Sequence, residues 1–167
     1  SASKKFAPDK TLEECIKIVQ GDKPKQSPIE EAQLQLSLLE KFLIEKNIVT
    51  IPGYTNLFVR GSTPFMSSFG AYATNSGPYE KDMVGIYYIT PPDTNWTNEE
   101  REKYIMSRNE LLFTSVHEVW PGHFLQSIFI NKNNSLISKI FWHYTANEGW
   151  AHYTEEMLYE EGLGNYS

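Results

Sequence analysis

Between Val116 and Phe124 the chain reads His117-Glu118-Val119-Trp120-Pro121-Gly122-His123, and no unbroken helix can carry that run. Pro121 has no N–H with which to continue an i to i−4 ladder and biases Trp120 away from the α region, while Gly122 accepts dihedrals that other residues avoid. Apolar residues on both sides keep helical spacing, so the expected local structure is a helix that breaks after Val119 or Trp120 and restarts near His123. The break matters for chemistry. On a continuous helix two imidazoles at i and i+6 would stand about 240° apart and could not share a metal, whereas a kink swings the second back toward the first. His117 and His123 can then offer neutral nitrogens to Zn²⁺, with Glu118 placed as general base for an activated water. The plainer alternative is a helix, a Pro-Gly turn and two ordinary histidines, because short motifs match by chance.

The far end of the chain weighs toward a metal. A last helix is expected over about Leu136 to Glu161, capped by Ser135, and it contains His143-Tyr144-Thr145-Ala146-Asn147-Glu148-Gly149-Trp150-Ala151-His152-Tyr153. Glu148 lies far enough beyond His123 for a loop and a second helix to return antiparallel and add a distant carboxylate to the two imidazoles. Gly149 costs about 1 kcal/mol relative to Ala inside a helix, which a close helix approach would explain. Phe141, Trp142, Tyr144, Trp150 and Ala151 describe a largely buried segment, which weakens the reading of Glu148 as a solvated acid. His152 stands at i+4 from Glu148 and competes with it for the third-ligand position.

The rest of the chain reads as scaffold. Thr11 to Glu14 is a capping-box spacing that opens a short amphipathic helix ending at Gly21, and Ser27-Pro28-Ile29-Glu30 opens a longer one to about Lys46. Its apolar stripe is Ile29, Ala32, Leu36, Leu39 and Leu43, widened by Leu38 and Phe42. Residues 47–90 switch to β-branched and aromatic runs between Pro and Gly turns. Strands are expected at 48–51, 57–60, 69–73 and 84–90, forming a small antiparallel sheet with the last as its edge. Arg60 is either an exposed strand residue or a binder of a substrate carboxylate. Thr97-Asn98-Glu99-Glu100 opens a third helix expected to run unbroken to Glu118.

Composition removes other classes. A net charge of −6 supplies no cationic field for nucleic acid. The single cysteine, Cys15, excludes an internal disulfide and reads as a small core residue. No apolar run is long enough to span a membrane, and the opening residues hold no signal-peptide core, so neither compartment nor native start is evident.

The segments VTIPG, TPFMSSFGAY, YYITPPDTNW, SVHEVWPGHFLQ and NEGWAHYTEE, in this order over residues 47–162, resemble the catalytic core of the bacterial and archaeal family filed as domain of unknown function 885. These proteins are taken to be zinc metallopeptidases related to the mainly helical gluzincins. The resemblance implies His117, His123 and Glu148 as zinc ligands, Glu118 as catalytic base and a peptide as substrate. His152 departs from the family, which tends to carry an apolar residue there. Related gluzincins commonly place an oxyanion donor after the third ligand, and Tyr153 is the local candidate for it, with His152 behind, although a buried packing tyrosine is the favoured reading of Tyr153.

The expectation is therefore a mainly helical α+β chain, one domain over residues 1–167. It has a helical lead-in over 1–46, a small antiparallel sheet over 47–90 covering a zinc site, and metal-binding helices over 97–162. Family members are several times longer, so the chain is expected to be a fragment of a larger helical metallopeptidase, weakly active or inactive by itself. Four Glu residues, Glu155, Glu156, Glu160 and Glu161, crowd a helix C-terminus where the macrodipole disfavours anions, so their partners are expected in a missing part. The competing class is a non-catalytic module. In it zinc staples two helices with His152 or His143 as a fourth ligand, or no metal binds at all.

Overall fold

The structure is a computed structural model that describes residues 7–53, 56–82, 84–141 and 143–164. Its helices are α1 (Leu12–Gly21), α2 (Pro28–Lys46), α3 (Asn98–Tyr104), α4 (Arg108–Glu118), α5 (His123–Lys132), α6 (Leu136–Ile140) and α7 (Tyr144–Glu160). The strands are β1 (Asn56–Gly61), β2 (Ala71–Asn75) and β3 (Val84–Ile89), making this a mixed α+β chain with a small three-stranded sheet.

Reciprocal capping boxes start α1 at Thr11–Glu14, α2 at Ser27–Glu30 and α3 at Thr97–Glu100. Each satisfies backbone N–H groups that the first helical turn would leave unpaired. Helix α2 is the scaffold. Ala32, Leu36, Leu39 and Leu43 bury one stripe against Leu111, Leu112 and Val116 of α4, while Leu38 stays 62% exposed. Each fully buried Leu contributes roughly 1.5–3 kcal/mol relative to exposure. A polar tie sets the entry of α4. Buried Glu31 accepts from Arg108 Nε at 3.1 Å, and Gln35 Nε2 donates to the Arg108 carbonyl at 2.9 Å.

The helix expected over 97–118 is two helices. Ile105 is extended, and Ser107 starts α4 with its own capping box, accepting from Glu110 N–H while the Glu110 carboxylate takes the Ser107 N–H at 2.6 Å. The last helix is likewise divided into α6 and α7 at Phe141. Phe141 (74% exposed) and Tyr144 (66%) are not buried, contrary to the reading of that segment; Trp142 lies outside the described residues.

The sheet is mixed, in the order β1-β3-β2. β1 runs parallel to β3, from Asn56 opposite Val84 to Gly61 opposite Ile89, and β2 runs antiparallel, from Ala71 opposite Ile89 to Asn75 opposite Gly85. This corrects two expectations: the sheet is not wholly antiparallel, and β3 is its centre rather than its edge. The reason is chemical. VGIYYI is the most apolar of the three strands, and a strand with neighbours on both sides is the one that can bury such a run. Residues 48–51 form no strand; Ile48, Val49 and Ile51 lie in an irregular connector, with a bend at Val49, and pack partly buried against the core. Arg60 is exposed on β1, the edge opposite β2, with its guanidinium 5.4 Å from the Phe58 ring centre.

Candidate metal centre

Helix α4 ends at Glu118 and α5 starts at His123, so residues 119–122 are a turn joining two helix ends, with His117, Glu118 and His123 on the ends themselves. Wide hydrogen bonds close it: Trp120 N–H to Ser115 O at 3.2 Å, Gly122 N–H to Val116 O at 3.0 Å and Leu125 N–H to Val119 O at 3.3 Å. The Trp120–Pro121 bond is cis. Gly122 is there because the chain returns onto itself: a Cβ would stand 1.7 Å from His117 O and 2.5 Å from Val116 O. This close return places the first residue of α5 beside the last turn of α4, and the His117 and His123 rings lie edge to face with centres 4.8 Å apart.

Helix α7 packs beside α4 and closes the cluster. Ala151, Thr154 and Leu158 are its buried face, and Trp150 Nε1 donates to Pro121 O at 2.9 Å, docking the helix on the turn. Glu148 then faces both imidazoles, with Oε2 3.3 Å from His117 Nε2 and Oε1 3.5 Å from His123 Nε2.

These separations test whether a metal fits. Corners of a tetrahedron with bonds of about 2.1 Å stand about 3.4 Å apart, as the ligands of a zinc ion do. One donor atom from each of His117, His123 and Glu148 lies within 4.8 Å of the others. Two imidazoles and one carboxylate suit a borderline-soft divalent ion such as zinc. The residues fit the group.

Glu118 stands next to this set and is not part of it. Its Oε2 accepts the Ala73 N–H at 2.9 Å, tying the end of α4 to β2. The ladder explains why that amide is available. Gly70 O accepts from Thr90 and Val84 O accepts from Ser76, so by alternation Ala71, Ala73 and Asn75 turn their backbone groups away from β3. Burial pushes the Glu118 carboxyl above the usual carboxylate range; His117 and the Ala73 N–H oppose the shift, and Glu148 adds to it. Burial also holds His123 below the ordinary histidine value, helped by His117 and opposed by Glu148, which keeps a lone pair on the ring for a metal. Beneath the site the fully buried Tyr87 contacts Ser115 through its hydroxyl at 3.3 Å, and burial raises its pKa.

The remaining candidates fall elsewhere. His152 does not join His123 and Glu148; it is 70% exposed and its Nδ1 contacts Glu155 Oε1 at 3.1 Å. His143 occupies the N-cap position of α7 without a side-chain capping bond and is exposed. Tyr153 is turned about 140° round the helix from Glu148, is 55% exposed and packs near Trp150, so it is not a buried packing residue. Gly149 does not mark a close helix approach, because a Cβ there would meet nothing within 4 Å.

Glu155 has a place that the sequence reading did not give it: its Oε1 lies 2.7 Å from His117 Nδ1. Its spacing from Glu148, two helical turns, was the available signal. Away from this cluster, a groove of about 380 Å³ lies between α2 and β1, lined in part by Leu36, Glu40, Arg60 and Trp120. It contains none of the clustered His and Glu residues.

A family model described as "Bacterial protein of unknown function (DUF885)" matches residues 2–167. No curated protein and no solved structure matches the chain.

Proposed function

Since the chain belongs to the bacterial family of unknown function DUF885, we propose from its own site what that description leaves open: a zinc-dependent peptidase core. The observation that carries the reading is the His117–His123–Glu148 set, whose donor atoms lie within 4.8 Å of one another, with a second carboxylate, Glu118, beside it and tied to a sheet edge. His117, His123 and Glu148 would hold the metal. Bound there, zinc supplies Lewis-acid chemistry, polarising a carbonyl and acidifying a water.

The chain's own residues do the rest. Glu118 takes the proton of the attacking water on its carboxylate and returns it to the leaving amine, a role that suits a carboxyl whose pKa is raised by burial. β2 provides the substrate edge, because the Ala71 and Asn75 amides point outward on either side of the Ala73 amide that Glu118 holds, and main-chain pairing accepts many peptide sequences. The staple reading is less well served, since neither His152 nor His143 stands where a fourth protein ligand would close the set.

Elemental analysis of the purified chain tests the metal. About one zinc per molecule is expected, lost in His117→Ala and Glu148→Ala and retained in His152→Ala. A wild-type chain with no zinc, or one that loses it only in His152→Ala, defeats the assignment.

Amide exchange tests the substrate edge. On binding a peptide inhibitor, the Ala71 and Asn75 amides should slow, while β3, already paired on both sides, should change little. Unchanged exchange along β2 would remove it as the docking strand.

A further inference from the structure

We propose that Glu155 is a positioning residue for His117, and that His152 serves Glu155 rather than the metal; this rests on the metal-dependent reading above. One oxygen, Glu155 Oε1, lies 2.7 Å from His117 Nδ1 and 3.1 Å from His152 Nδ1. An ionised carboxylate only accepts, so both Nδ1 atoms present protons to it. In a neutral His117 ring that leaves the lone pair on Nε2, the nitrogen 3.3 Å from Glu148 and facing the ligand set. Without Glu155 the proton can sit on Nε2, and the lone pair then lies on Nδ1, away from the ligand set.

Among the described residues His123 has no equivalent device, for none of them hydrogen-bonds its buried Nδ1. Glu155 therefore controls the tautomer of one of the two imidazoles. His152 is exposed and its ring centre is 4.9 Å from that of His117, so it closes on Glu155 from the solvent side.

His117, His152 and Glu155 also sit close enough to hold a cation of their own. The distances argue against it: 2.7 and 3.1 Å are hydrogen-bond lengths, shorter than the ~3.4 Å between ligands of a tetrahedral zinc.

Two readouts test the role. Nitrogen-15 NMR of the metal-free chain reports the His117 tautomer, and zinc titration against a competing chelator reports affinity. The wild type should be protonated at Nδ1. Glu155→Ala should move much of the proton to Nε2 and weaken zinc binding ~10- to 100-fold at an unchanged stoichiometry of one. Glu155→Gln, whose amide oxygen still accepts, should keep the tautomer and recover most of the affinity, which loss of packing alone would not predict. His152→Ala should cost less than Glu155→Ala. An unchanged tautomer and affinity in Glu155→Ala overturns the proposal. Two zinc ions per chain, one lost in His152→Ala, also overturns it, because Glu155 would then be a ligand. A wild type that binds no zinc defeats the metal-dependent reading instead, and the tautomer measurement still decides what Glu155 does to His117.

Discussion

Glu118→Gln is expected to lower peptide hydrolysis by roughly 10²- to 10⁴-fold while leaving the metal content unchanged. The two halves of that result have separate structural causes. Glu118 lies outside the His117–His123–Glu148 set, so the ligands are untouched. The Gln side chain keeps the size of Glu and a carbonyl oxygen for the Ala73 N–H, which Glu118 accepts at 2.9 Å, but it cannot take a proton from water. The change also has a stability sign. Burial raises the Glu118 pKa in the folded chain, so its favourable contribution is present at low pH and lost as pH rises through the folded value. At neutral pH the metal-free Gln variant should be at least as stable as wild type and should lose that pH dependence. The measurement is hydrolysis, metal content and thermal midpoint on the same preparations, in the shortest form of the protein that cleaves peptides. A Gln variant that cleaves at the wild-type rate would show that Glu118 is not the base.

Gly122→Ala should have the largest effect on the fold of the site. The added Cβ would overlap His117 O at 1.7 Å and Val116 O at 2.5 Å; both are backbone atoms, so relief requires the end of α4 or the start of α5 to move. Those two ends carry His117 and His123, so strain and loss of the ligand set arrive together. A cost of about 3 kcal/mol corresponds to a thermal midpoint lower by about 6–12 °C for a chain of this size, accompanied by loss of zinc binding. Gly149→Ala is the control. Its Cβ meets nothing within 4 Å, and Ala is favoured over Gly in a helix by about 1 kcal/mol, so this variant should be equally or more stable and should keep the metal. Equal midpoints and equal zinc affinity for Gly122→Ala and wild type would show that the return of the chain is looser than described.

The contrast between these glycines shows where sequence reasoning stops. Pro121-Gly122 announced a break between two histidines, because proline and glycine act on the backbone locally, whatever surrounds them. Gly149 looked like a mark of close packing, but the reason a helix tolerates glycine at one position lies in its neighbours, and there are none at that point. The break before α4 is legible in the sequence, because Ser107 and Glu110 have the same capping spacing as the starts of α1, α2 and α3. The position of β3 was half legible, since its apolar run suits a central strand, but which strand flanks it on each side depends on pairing that no single strand encodes.

Glu155 marks the boundary most clearly. In the sequence it is one of four Glu residues near the C-terminal end of a helix with no cation following, and its environment looked repulsive. In the fold its carboxylate reaches His117 on α4 and His152 on its own helix. Tyr153 moved the other way, from candidate donor to exposed surface.

What the sequence determined by itself are the features set within a turn or two of chain: the capped helix starts, the interruption between His117 and His123, and the presence of Glu118 and Glu148 as acids in the right segments. Tertiary structure alone decided which groups meet. The separations of 3.3 and 3.5 Å to Glu148, the Ala73 amide on Glu118 and the partner of His117 Nδ1 join residues far apart in the chain. Such meetings depend on the angle at which α7 docks on the turn through Trp150 and on the side of β3 that β2 takes, and both are set by packing over the whole core rather than by local backbone preference.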